Sequence, residues 1–237
     1  MHLPSESLNG AICPVTAVVA AGTIVLAAYT LKKNKLKRPT AWQFALTTVA
    51  VFALQALNYA LPAGFSGHML GAVFAATILG VPAAILSVAL VITVQCLAFN
   101  DGGTLQLGAN ILNMAVVATG IGGLVINRLG YINKNISIAL GATLSIMAAV
   151  GLIAVELTVG GIPDGALIRT LLVSHIPIAL IEGSLTVALV NVQNVPVWKD
   201  ERKIEYALAA IILIAFVISP FASTLPDALE AALGGMK

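Results

Sequence analysis

The sequence predicts an all-α, polytopic membrane bundle, and three observations carry that prediction. Of its 237 residues, 59% are hydrophobic and only 9% charged, against roughly a quarter charged in an ordinary soluble domain. The apolar residues fall in runs close to the roughly 20 residues that a helix needs to cross hydrocarbon. Lysine and arginine collect between alternate runs, as they do when positive loops stay in the cytoplasm. Seven to eight transmembrane segments with short loops use up the chain, so a single membrane-embedded domain over 1–222 and an extracytoplasmic tail over 223–237 are expected. The formal charge of +2, tied to helix ends, excludes nucleic acid as a partner class.

Taken in order, a first helix is expected near 11–31 and a second near 42–61, separated by Lys32, Lys33, Lys35, Lys37 and Arg38. That basic loop places the N-terminus outside. The next apolar stretch, 69–99, is too long for one helix and divides at Gly80-Val81-Pro82, because proline forbids an uninterrupted regular helix there. Its short first half suggests tilt or a re-entrant loop, tolerated only where protein covers the backbone. Further spans are expected near 104–126, 136–158, 165–190 and 205–222. With eight segments, Arg128, Lys134, Lys199, Arg202 and Lys203 all fall on the cytoplasmic side; Lys237 falls outside and Arg169 within a span. No basic n-region precedes the first apolar run, so the mature chain is expected to begin at Met1. Cys13 and Cys96 lack CxxC spacing and read as small apolar-segment residues rather than a thiolate zinc site.

The chemistry concentrates in three histidines, His2, His68 and His175. A free terminus followed by His2 offers the α-amine, the His2 amide nitrogen once deprotonated, and the imidazole Nδ1, which close fused five- and six-membered chelate rings. A further imidazole completes a square-planar set of four nitrogens, a geometry suited to Ni(II) or Cu(II) rather than tetrahedral zinc. His68, in the Gly- and Ser-containing stretch 61–68, is the expected fourth ligand. The alternative is an exposed terminal His2 and an interfacial His68 that bind nothing.

Met1-His2, the loop Ser66-Gly67-His68-Met69-Leu70-Gly71, the stretch Phe99-Asn100-Asp101-Gly102-Gly103, and Leu107-Gly108-Ala109-Asn110-Ile111-Leu112-Asn113-Met114 together resemble the CbiM/NikM family. That family comprises the substrate-specific components of energy-coupling factor transporters for cobalt and nickel. Ser174-His175-Ile176-Pro177 followed by Ile181-Glu182-Gly183 is similar to its penultimate helix. The resemblance covers roughly 1–190. It implies that Met1, His2 and His68 bind the transported ion, Ni(2+) or Co(2+), with no resident cofactor. It also implies a prokaryotic plasma-membrane location, a transmembrane scaffold subunit and two ATP-binding subunits as partners. Cobalt members more often carry His-Pro at the loop histidine; Met69 follows His68 here, which favours nickel. The tail 219–230 resembles the start of an accessory module marked by Pro-Asp-Gly-Leu-Glu, with Ala228 in place of the glycine, so a separate small accessory membrane subunit is expected.

Asn58, Ser66, Asn110 and Asn113 are expected to orient the ligands or their loop, with interhelical hydrogen bonding the alternative for the asparagines. His175 and Glu182 lie seven residues apart on one helical face, as packing contacts or as part of a transport path. Arg169 is near enough to a helix end to snorkel. Ala17 and Ala21 permit close helix approach, within the chain or against the scaffold subunit. No Walker loop is present, so ATP hydrolysis falls to partners. The rival readings are an intramembrane metal-dependent enzyme, opposed by the lack of His-Glu-x-x-His and Gly-x-Ser-x-Gly, and an assembly subunit without its own ligand.

Overall fold

The computed structural model describes residues 1–8, 11–33, 38–62, 64–162, 164–192 and 203–234. Lys35, Lys37, Lys199, Arg202 and Lys237 lie outside the described residues. The elements are α1 (Ile12–Lys33), α2 (Ala41–Gln55), the two-residue strands β1 (Tyr59–Ala60) and β2 (Ser66–Gly67), α3 (Ala72–Leu79) and α4 (Val81–Phe99). Then follow α5 (Leu107–Asn110), a π-helical turn (Ile111–Val117), α6 (Ala118–Leu129), α7 (Lys134–Val159), α8 (Gly165–Val192), α9 (Lys203–Ile218), a 3-10 turn (Ser219–Phe221) and α10 (Ala228–Gly234). The chain is an all-α membrane bundle. Among the described residues, six helices are long and apolar enough to span, with α5, the π turn and α6 counting as one, Leu107–Leu129.

Local chemistry sets the helix boundaries. Thr40 and Gln43 form a reciprocal capping box at the start of α2, and Asn133 accepts from the Ile136 amide at the start of α7, each satisfying donors that a helix start leaves unpaired. The expected break at Gly80 is present: α3 ends there and α4 restarts with Pro82 in its first turn, where a missing N–H is harmless. Helix α2 is shorter than the expected 42–61. It stops at Gln55, and the chain turns into a small antiparallel hairpin pairing Tyr59 with Gly67 and Ala60 with Ser66.

Helices α6, α7 and α8 pack side by side, with α3, α4 and the π turn against them. Glycine permits close crossings: a Cβ on Gly141 of α7 would stand 3.1 Å from the Gly122 carbonyl oxygen of α6, and one on Gly183 of α8 would stand 2.8 Å from the Ala139 carbonyl oxygen of α7. Small residues at such crossings let dispersion contacts act where lipid supplies no hydrophobic drive. The core runs through Phe74, Ile92, Met114, Ile146, Ile153 and Leu171, all fully buried. Apolar side chains of α1 and α9, among them Val18, Leu26, Phe216 and Val217, are exposed, as a bilayer-facing surface requires.

Between hairpin and α3, residues 68–71 run non-helically through the interior, with Met69 and Leu70 buried. Backbone of this kind inside an apolar bundle needs partners. Glu182 of α8 supplies them: its two carboxylate oxygens accept the amide N–H of Leu70 and of Gly71, both at 2.9 Å. The Gln55 side-chain amide donates to the Leu70 carbonyl at 2.7 Å. Gly71 then enters α3 at φ +72°, a conformation that costs glycine little. Glu182→Leu leaves two buried amides unpaired at about 1–3 kcal/mol each. Thermal unfolding in detergent is expected to show a clear loss of stability, whereas an unchanged midpoint would mean that the loop has another anchor.

Candidate functional site

The first eight residues fold into the bundle instead of trailing from it. Met1, His2 and Leu3 are all buried, and the Leu3 backbone is gripped from both sides. Its N–H donates to Asn110 Oδ1 at 2.8 Å, and its carbonyl accepts from Asn110 Nδ2 at 3.3 Å and from the Gly103 amide at 2.9 Å. Asn110 thus pairs with the segment much as a neighbouring strand would. Gly102 lets the 100–103 loop come this close: at φ +88°, a Cβ there would meet Asn110 Nδ2 at 2.9 Å and His2 Cβ at 3.2 Å.

This seating brings the terminal nitrogen of Met1 to 3.0 Å from His68 Nε2. The His68 Nδ1 lies 3.0 Å from the Met69 carbonyl, which can only accept. Nδ1 therefore carries the hydrogen and Nε2 presents its lone pair toward Met1. The His2 and His68 rings are stacked, with centroids 5.9 Å apart and planes 19° from parallel. His2 Nδ1 is 3.3 Å from Asp101 Oδ1, and among the described residues its buried Nε2 has no hydrogen-bond partner. The Met1 ammonium also donates to Asp227 Oδ2 at 2.5 Å. Among the described residues, no three His, Cys, Asp or Glu side chains are grouped to hold a metal ion; the convergence is of two imidazoles and a terminal amine.

Electrostatics keep both rings neutral. Burial, aided by the neighbouring ammonium, pulls His2 and His68 down to about 3. Burial, the largest single influence, opposes ionisation of Asp227, but the charge and hydrogen bond of the Met1 ammonium, together with His68 and the Glu230 amide, outweigh it and hold the carboxyl well below its usual range.

The remaining residues singled out in the sequence are dispersed. Ser66 donates from Oγ to the Leu225 carbonyl at 2.8 Å. Asn58 lies beside the hairpin, where its carbonyl accepts from the Ser223 amide; with Leu54, Met69 and Ile211 it lines a largely apolar cavity of about 800 Å³. Asn113 donates to Glu156 Oε2 of α7 at 2.6 Å, an interhelical bond. The His175 ring bonds through Nδ1 to the Leu171 carbonyl at 2.8 Å, and Glu182 holds the loop that follows His68. Asp227 was not singled out from the sequence as part of the site. Its one local signal is Asp227-x-x-Glu230, a capping-box spacing, and nothing in that spacing reports a contact with residue 1.

Comparison with known proteins adds to this geometry. Residues 2–195 match the family model described as CbiM, cobalt uptake substrate-specific transmembrane region. A protein of Archaeoglobus fulgidus named "Putative fused nickel transport protein NikMN" is 31% identical over 194 residues, covering 81% of this chain and 64% of that protein. The cobalt transport protein CbiM of Listeria seeligeri is 32% identical over 178 residues, 70% of each. A crystal structure of a truncated transition metal transporter superposes with a TM-score of 0.71 at 28% identity, covering 80% of this chain and 96% of that one. The chain spans roughly half to two thirds of the length of the first curated relatives it matches.

The histidine environment has a pH consequence. Unfolded imidazoles titrate near 6.5 and these two near 3 in the folded site. Between those values the unfolded chain binds more protons, so stability is lost as pH falls through that window. Protection of the Leu3 and Ser7 amides against hydrogen exchange, corrected for intrinsic rates, is expected to drop between pH 6.5 and 4. Constant protection would contradict neutral, buried histidines.

Proposed function

This chain belongs to the CbiM family of cobalt uptake substrate-specific transmembrane regions, and from that premise we propose that it captures a divalent transition metal ion for an energy-coupling factor importer. Ni(II) is the ion, with Co(II) the second reading. One observation supports the capture site above all: the Met1 nitrogen stands 3.0 Å from His68 Nε2, with the His2 ring stacked on His68. Two nitrogens that share a first-row ion at about 2 Å each stand about 3 Å apart.

The ligands are the Met1 amine, the His2 amide and Nδ1, and His68 Nε2. Four nitrogens in a plane suit Ni(II). Closing the set requires the His2 imidazole to turn from Asp101 and the Met1 amine to offer its lone pair, so binding releases protons. The name of the Archaeoglobus relative and the Met69 that follows His68 favour nickel. The family description and the name of the Listeria relative favour cobalt.

The N-terminus faces outside a prokaryotic plasma membrane. Lys32, Lys33, Arg38, Arg128, Lys134 and Lys203 belong to the helix ends away from Met1, and Glu6, Asp101, Asp164, Asp227 and Glu230 belong to its end, with Glu205 and Arg169 the exceptions. That segregation matches basic loops inside. The chain is a transporter subunit and not an enzyme. Its energy comes from a scaffold subunit and two ATP-binding subunits, and an accessory membrane subunit joins them. Ala17 packs its backbone against Gly108 within the chain, and with the exposed Ala21 of α1 it borders the surface where the scaffold subunit docks.

Nickel titration of protein with a free Met1 tests the site. Native protein is expected to bind one ion with a square-planar d–d band. His68→Ala and protein acetylated on the Met1 amine are each expected to lose the band and at least about 100-fold in affinity, because each removes a coordinating nitrogen. Unchanged binding by the acetylated form would overturn the N-terminal chelate.

A further inference from the structure

We infer that the segment 223–230 is a built part of the capture site, and that Asp227 is the positioning residue that holds the Met1 amine against His68. This rests on the capture site proposed above. The segment touches both sides of that site at once. Ser66, two residues before His68, donates its amide N–H to the Pro226 carbonyl at 2.8 Å and its hydroxyl to the Leu225 carbonyl. A parallel bridge joins Ser66 to Asp227. The Ser223 amide donates to the Asn58 carbonyl at 2.7 Å. Ala228 and Leu229 are buried, and α10 packs against α8.

Within this strap the Asp227 carboxylate divides its oxygens between two tasks. Oδ1 accepts from the Glu230 amide at 2.8 Å, while Glu230 Oε2 accepts from the Asp227 amide at 3.2 Å, a capping box that fixes the carboxylate's orientation. Oδ2 is thereby left facing the Met1 nitrogen. A coordinated amine keeps N–H groups that need an acceptor in a buried site, and carboxylates bonded to a ligand's remaining N–H orient it and strengthen its donation. Asp227 stands where that acceptor is required. The strap thus connects the first residues, the His68 loop and a segment more than 220 positions away in sequence into one constellation.

Full-length native protein, Asp227→Asn and Glu230→Ala, purified in detergent with free N-termini, separate positioning from folding, with nickel sulfate as the probe. Asparagine caps helices as well as aspartate, but its single oxygen cannot serve both Glu230 and Met1. Asp227→Asn is expected to keep the square-planar band while affinity falls about 10–100-fold, the usual cost of losing a ligand's outer partner, chiefly through faster nickel dissociation. Glu230→Ala keeps the backbone N–H that holds Asp227 Oδ1 and loses only the side-chain half of the capping box, so its affinity is expected to fall, but by clearly less than in Asp227→Asn. Native affinity and dissociation rate in Asp227→Asn would overturn the inference while the capture site stood. So would an equal loss in Glu230→Ala, which would make the strap's fold the cause. Native protein without the band would overturn the capture site and this inference with it.

Discussion

Irregular backbone inside an apolar bundle has to find hydrogen-bond partners, and the arrangement of this protein follows from how two such segments find theirs. One is the N-terminal stretch through Leu3; the other is the loop from His68 to Gly71. Each runs where lipid or apolar side chains would leave its amides unpaired. Asn110 answers for the first and Glu182 with Gln55 for the second. Since Met1 and His68 sit two or three residues from these anchored amides, the anchors set the distance between the two nitrogens.

The chain has few polar groups, and several serve two elements at once. The Asp227 carboxylate both caps α10 and faces the Met1 ammonium; Ser66 joins the hairpin to the tail with its amide and its hydroxyl. His68 bonds its Nδ1 to the adjacent carbonyl, which selects the tautomer whose other nitrogen faces Met1. In contrast, His2 Nε2, His175 Nε2 and Glu156 Oε1 are buried without hydrogen-bond partners among the described residues. A buried polar atom left this way is costly. For His175 and Glu156 the structure supplies no compensating contact.

Much of the architecture was legible in order along the chain. Apolar runs located the long helices to within a few residues, and Gly80-Val81-Pro82 marked the break between α3 and α4. Helix α2 was read too long because residues 56–61 are apolar enough to continue a span. Burying the hairpin and the His68 loop instead depends on Glu182, over a hundred residues away. The π-helical turn at Ile111–Val117 has no counterpart in hydrophobic period and went unread. Asn110 and Asn113 share one short stretch, yet one pairs with Leu3 and the other with Glu156, a division that spacing alone does not reveal.

Composition and periodicity, which act locally, determined that the chain is an α-helical membrane protein and roughly where its helices begin and end; the residue types at positions 1, 2 and 68 marked their nitrogens as candidates only. Tertiary structure alone decided that those nitrogens meet, which histidine nitrogen faces the amine, and that Asp227 and Glu182 stand behind them. The physical reason is range. Hydrophobic runs and helix caps are settled within a few residues of sequence, whereas a buried amine, imidazole or unpaired amide is satisfied by whichever group the packed helices bring within about 3 Å, however distant in the chain.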